Sequence, residues 1–220
     1  GADWPRFRGR NGAGVAEEAP IPTEFGPAQN VIWKTAVPPG HSSPVLSKER
    51  LYLTALEGEE LLTMALARDS GKVLWRSAVQ RRHQITVDKR NHPASPSPVV
   101  DDRDNVYVFF QDFGLVSFDR EGKQRWQMPL GPFNNAYGMG SSPIVVDDLV
   151  VLVCDQNVGS FMIAANKDTG ALCGGIERPE AKTGHSTPIV YRPQDGPAQL
   201  LVPGSFYLIS YSLAADTGGK

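Results

Sequence analysis

Only two cysteines, Cys154 and Cys173, occur in the 220 residues. Neither belongs to a CxxC pair or stands beside a histidine at metal-ligand spacing, which excludes a disulfide framework and a zinc module. Free, partly buried thiols are the expected reading, and they leave the compartment open. No sign of charge dominates: 22 Lys and Arg face 24 Asp and Glu, a net charge of −2. The chain therefore lacks the basic excess that would draw it to nucleic acid or an anionic membrane. The longest apolar stretch, LVVLVC at 149–154, falls far short of the about 20 residues a transmembrane helix needs. No amphipathic helical run of about 11 residues occurs either. A GxSxG elbow, an EF-hand loop and a phosphate-cradling glycine loop are likewise missing. No signal peptide heads the chain, and Gly1–Ala2 reads as the point where an export signal has been trimmed.

What the chain has is turn residues, 22 Gly and 18 Pro, and a repeat. HSSPVL, SPSPVV, GSSPIV and HSTPIV place Pro44, Pro98, Pro143 and Pro188 at steps of 54, 45 and 45 residues. Each is followed by two alternating apolar stretches and then by an aspartate with a nearby glycine: Asp69/Gly71, Asp119/Gly122, Asp168/Gly170 and Asp216/Gly218. Such periodicity predicts four short strands joined by tight turns, the Asp accepting turn amides and the Gly supplying positive φ. Units of about 45 residues built this way are propeller blades. The predicted fold is an all-β propeller of four-stranded antiparallel blades. About four units are present, near 41–75, 94–126, 140–174 and 185–220, a partial ring preceded by an extended segment at 1–30.

Four residues after the turn glycine stand Trp75 and Trp126, expected to pack between neighbouring blades, whereas the third unit has Gly174. A loose or bulged outer strand is predicted there, because glycine weakens strands. Trp33 in NVIWKTAV has the look of an outer strand without its own blade. Cys154 and Cys173 fall on the second and fourth strands of one blade, about 9.5 Å apart and beyond the about 7 Å limit for a disulfide.

The repeat SPV…G-L…D-x-x-G-K-x-x-W resembles the pyrroloquinoline-quinone (PQQ)-like β-propeller repeat, shared by quinoprotein dehydrogenases and the outer-membrane assembly lipoprotein BamB. The stretches DWPRFRGRNGAGV and GPFNNAYGMGSSPIV resemble secreted bacterial members. The resemblance implies a complete ring of seven or eight blades and an exported, periplasmic or membrane-associated location. In the dehydrogenases of that family a vicinal cysteine pair, a Trp under the quinone and a calcium held by Glu, Asn and Asp form the cofactor site. The two cysteines here stand 19 residues apart, so no cofactor or metal is expected, with PQQ and calcium as the alternative.

Candidate binding residues gather in the connections. His41 and His185 occupy matching places before the first strand of their units, at the channel mouth. The insertion at 81–96 contributes Arg82, His83, Asn91 and His92, while Asn134, Asn135, Tyr137, Asp155 and Gln156 form a polar set. The row Ser43, Ser97, Ser142 and Thr187 repeats too regularly for an active site and reads as structural. The acidic pairs Asp101/Asp102 and Asp147/Asp148 read as turns. The expected function is a non-catalytic scaffold binding an envelope protein or a small ligand. A PQQ-dependent oxidoreductase and a carbohydrate-binding module are the alternatives. A homodimer could close the ring.

Overall fold

A computed structural model describes residues 4–16 and 22–214; the expected Asp216/Gly218 turn lies outside the described residues. Strands β1 (Val45–Leu46), β2 (Arg50–Glu57), β3 (Glu60–Ala67) and β4 (Val73–Gln80) form the first antiparallel sheet in chain order. The second contains β5 (Val99–Val100), β6 (Val106–Phe110), β7 (Gly114–Phe118) and β8 (Gln124–Pro129). The third holds β9 (Ile144–Val146), β10 (Leu149–Cys154), β11 (Phe161–Asn166) and β12 (Leu172–Glu177). Three strands make the fourth: β13 (Ile189–Tyr191), β14 (Gln199–Pro203) and β15 (Leu208–Ser212). These are propeller blades in an unclosed arc. Their cores lie between blades, because alternating strand residues face the sheet on each side. Tyr52, Val108 and Phe118 fill the first junction, Tyr107, Leu152 and Trp126 the second, and Val151, Leu200 and Val202 the third.

Two devices recur along the array. In the first, a tryptophan lies on the hairpin glycine of the following blade. Trp33, Trp75 and Trp126 donate their indole N–H to the carbonyls of Arg68, Arg120 and Lys167 at 3.1, 2.8 and 2.8 Å. A Cβ on Gly71, Gly122 or Gly170 would come within 2.3, 2.6 and 2.6 Å of the respective rings. The glycines thus do more than supply positive φ: their missing side chain is the seat. In the second device, each hydroxyl before a proline accepts the backbone N–H of its counterpart one blade earlier. Ser43 N bonds Ser97 Oγ at 2.9 Å, Ser97 N bonds Ser142 Oγ at 2.9 Å, and Ser142 N bonds Thr187 Oγ1 at 3.1 Å.

Trp33 docks on the first blade without belonging to a strand, and Thr35 Oγ1 donates to Gly71 O at 2.7 Å just as Ser77 Oγ donates to Gly122 O. Residues 31–41 cover the free side of the first blade, where Ala55, Leu62, Met64 and Leu66 are buried. Further upstream, Trp4 pairs with Leu46, Pro5 O accepts Val100 N at 2.8 Å, and the Asn11 side chain brackets Val190. The start of the chain is therefore a strap across three inner strands.

Three expectations need correction. A bulge does precede Gly174, at Cys173, but the same extra residue occurs at Leu74 and Arg125 in the other complete blades. The bulge belongs to the docking geometry, since it re-aims the next side chain, and owes nothing to the glycine. What Gly174 does leave is a cleft of about 470 Å³ between the third and fourth blades. The cysteines are also not alike: Cys154 is buried and Cys173 exposed, on β10 and β12 with β11 between them. Finally, Asp119 accepts the turn amides of Glu121 and Lys123, but in the third hairpin Asn166 does this and Asp168 pairs with Arg103 and Arg125.

Candidate functional site

Because strands alternate in direction, the connections entering each blade and the turns between its second and third strands lie on one face. All the candidate residues fall there. The connection at 81–98, which contains the insertion at 81–96, is held down by Asp112, which is buried in the β6–β7 turn. Its carboxylate accepts Arg81 Nε at 2.9 Å and Ile85 N at 3.2 Å, and its carbonyl accepts the amides of Arg82 and His83. Burial pushes the Asp112 carboxyl up, opposed by the Ile85 amide and by Arg81. The side chain of Arg82 is left exposed and that of His83 half-buried.

A second connection, 130–143, is fastened in the same manner. Gln111 Oε1 accepts Met139 N and Gln156 Oε1 accepts Asn134 N, both at 2.8 Å. Asn135 donates to Asp155 O at 3.1 Å and accepts Tyr137 N at 3.0 Å. Asp155 is held by Arg178, itself fully buried, through a two-pronged contact at 2.8 and 3.1 Å. Arg178 also donates to Tyr211 OH at 2.7 Å, tying the third blade to the fourth. Asn135, Asp155 and Gln156 therefore spend their polar atoms inside the protein.

The remaining candidates converge on the surface. Asn91 donates to Tyr137 O at 2.7 Å, the Arg90 guanidinium lies 5.7 Å from the Tyr137 ring centre, and His185 lies 6.4 Å from it. His185 Nε2 stands 3.0 Å from Gly138 O, so that nitrogen carries the proton. With Asp88 these side chains line an open hollow of about 420 Å³. Beside it, the His41 and His92 rings pack tilted at 37° with their centres 5.0 Å apart. Burial first, then the neighbouring His41 and Arg81, push the His92 imidazole below its ordinary value. His92 Nδ1 accepts the Ala94 amide at 3.2 Å, which requires that nitrogen unprotonated. Exposed Tyr137, flanked by Arg90 and His185, suits stacking and hydrogen bonding to a partner side chain or a small planar ligand. Asn134 stands exposed at the edge.

Sequence reading missed Asp112, Gln111 and Arg178. Two of them carried a signal: Gln111–Asp112 and Asp155–Gln156 are both Asp/Gln doublets following the second strand of a blade. Among the described residues no three His, Cys, Asp or Glu side chains gather closely enough to hold a metal, and the cysteines are separated by a strand.

None of the curated proteins matches the chain in sequence. Among solved structures, a quinohemoprotein alcohol dehydrogenase from Pseudomonas putida HK5 superposes with a TM-score of 0.54 at 20% identity, covering 67% of this chain and 22% of that one. BamB from Moraxella catarrhalis gives a TM-score of 0.49 at 13% identity, over 82% of this chain and 47% of its own. The chain thus spans less than half the length of either structure. The first of these likenesses speaks for the fold. A family model described as outer membrane protein assembly factor BamB matches residues 28–190, the stretch that carries the docked tryptophans and the hydroxyl row. With well over half of its length matched, the chain belongs to this BamB-like family of PQQ-type β-propellers.

Proposed function

We propose that this chain is an exported, non-catalytic propeller scaffold that binds an envelope protein or a small ligand on the face of the blade-entry connections. The observation that supports it is the convergence of Arg90, Asn91, Tyr137 and His185, from three separate connections, around one open hollow. Buried clamps at Asp112 and Asp155 fix the connections beneath, so the exposed groups are presented on a rigid base. Recognition rather than turnover is the reading.

Titration of PQQ with calcium, followed by tryptophan fluorescence, should give no saturable change, and a saturable one would overturn the non-catalytic reading. A partner captured from envelope extract by the wild-type chain should be lost with a Tyr137→Ala/His185→Ala variant. Equal capture by both would place the binding surface elsewhere. The fourth blade leaves Ile189, Tyr191 and Leu208 at 39, 50 and 69% exposure on its outward side. A second copy closing the ring would bury them. Light scattering at twice the 23.9 kDa chain mass is the expected result for that arrangement.

A further inference from the structure

The seam between the third and fourth blades lacks the aromatic pair that packs the two seams before it. On the first blade Tyr52, Ala65 and Trp75 are cross-strand partners, and on the second Tyr107, Ser117 and Trp126. In each set the two rings meet across the small middle residue, with centres 6.0 and 5.9 Å apart. The same register on the third blade holds Val151, Ala164 and Gly174. Both rings are missing at once, and no other side chain has moved into the place of the second. A Cβ built on Gly174 meets nothing within 4 Å.

The space left is the cleft of about 470 Å³, within the range of about 300–1,000 Å³ that small-molecule sites occupy. Val151, Ala164 and Gly174 line it from the third blade, and Leu200, Tyr211 and Leu213 from the fourth. None of the described lining residues carries a charge. Tyr211 OH accepts Arg178, and Ser212 Oγ accepts the Ala214 amide. Water therefore finds few partners on these walls, whereas an apolar ring gains by leaving water. Met162 also lines the cleft, and its thioether makes favourable contacts with aromatic rings. We infer that this cleft binds an uncharged, planar aromatic molecule about the size of indole, seated where the first two blades carry their own tryptophan ring. A charged ligand would lose its hydration there and meet no counter-charge.

The test is a titration of the whole chain with indole, following the methionine methyl signals by NMR. Met64, Met128 and Met139 belong to other packing clusters, so Met162 reports on the cleft. A saturable shift of the Met162 signal is expected. 1-Adamantanol, apolar but not flat, should bind more weakly, and equal or tighter binding would overturn the planar assignment. Gly174→Trp should fill the cleft from within and abolish the indole shift. Gly26→Trp, where a Cβ also meets nothing within 4 Å, should leave the shift in place. Absence of a saturable Met162 shift in the wild-type chain overturns the proposal even if Gly174→Trp fails to fold. So does indole binding that survives in a folded Gly174→Trp chain, or that both tryptophan variants lose alike. A Met162 shift that follows protein concentration without indole would mean that a second copy fills the cleft, and would overturn the small-molecule assignment.

Discussion

Replacing Gly122 with alanine isolates the docking device, because the structure separates its two costs. The residue has φ +85°, and a Cβ would stand 2.6, 2.8 and 2.9 Å from Cδ2, Cγ and Cε3 of Trp75. The left-handed backbone alone costs an L-residue about 1–2 kcal/mol. Forcing the ring away adds about 1–3 kcal/mol of overpacking. The bond from Trp75 Nε1 to Arg120 O at 2.8 Å would also be lost, worth about 1 kcal/mol. The expected loss is therefore about 3–6 kcal/mol. Gly58→Ala is the control, with φ +59° and nothing within 4 Å of its Cβ, and should lose only the backbone part. In a Trp75→Ala background the clash has no partner, so Gly122→Ala should then cost about 1–2 kcal/mol. Urea unfolding followed by far-ultraviolet circular dichroism measures all four chains. Additivity of the two substitutions within about 0.5 kcal/mol would refute the seat.

Three further outcomes are expected. In the native protein one thiol, exposed Cys173, should react with Ellman's reagent at once, while Cys154, whose thiol burial pushes well up, should react only on unfolding; two fast thiols would contradict the packing of β10. Asp155→Ala should destabilise by about 3–5 kcal/mol by stranding a buried guanidinium, and adding Arg178→Met should recover part of the loss in the same urea assay. Because the folded His92 titrates below its reference value of 6.5, its contribution is present above that pH and is lost as the pH falls through the folded value. A His92→Gln chain should therefore lose less stability than the wild type between neutral pH and pH about 5, and identical pH profiles would show that the imidazole is uncoupled from folding.

The blades were legible because their signals are local and repeated. Alternation in VYVFF, the glycine of each third hairpin and the regular proline step all act within one unit, so spacing alone exposes them. The hydroxyl row was legible as structural for the same reason, although its bonds run between blades. Arg178 was not, because its partners Asp155 and Tyr211 come from other strands and only tertiary packing brings the three together. Asp155 looked like a free polar residue for that reason. The bulge at Cys173 shows the opposite error: a local explanation, Gly174, was assigned to a feature that every complete blade shares. His41, Tyr137 and His185 could be picked out as residues of the connections, but their grouping with Arg90 depends on how the connection at 81–98 folds over Asp112.

The tryptophan contact has a direction. The first two blades offer a ring forward along the chain, and the first three offer a bare glycine backward, so these units join as plug and socket. A coupling of this kind is indifferent to how many units it joins. Duplicating or deleting a whole blade-length of sequence leaves each surviving plug facing a socket, which gives such arrays an easy route to grow or shrink by recombination. It also names the weak link, since a plug has been lost at Gly174: the seam between the third and fourth blades is where a pulled or heated array should part first.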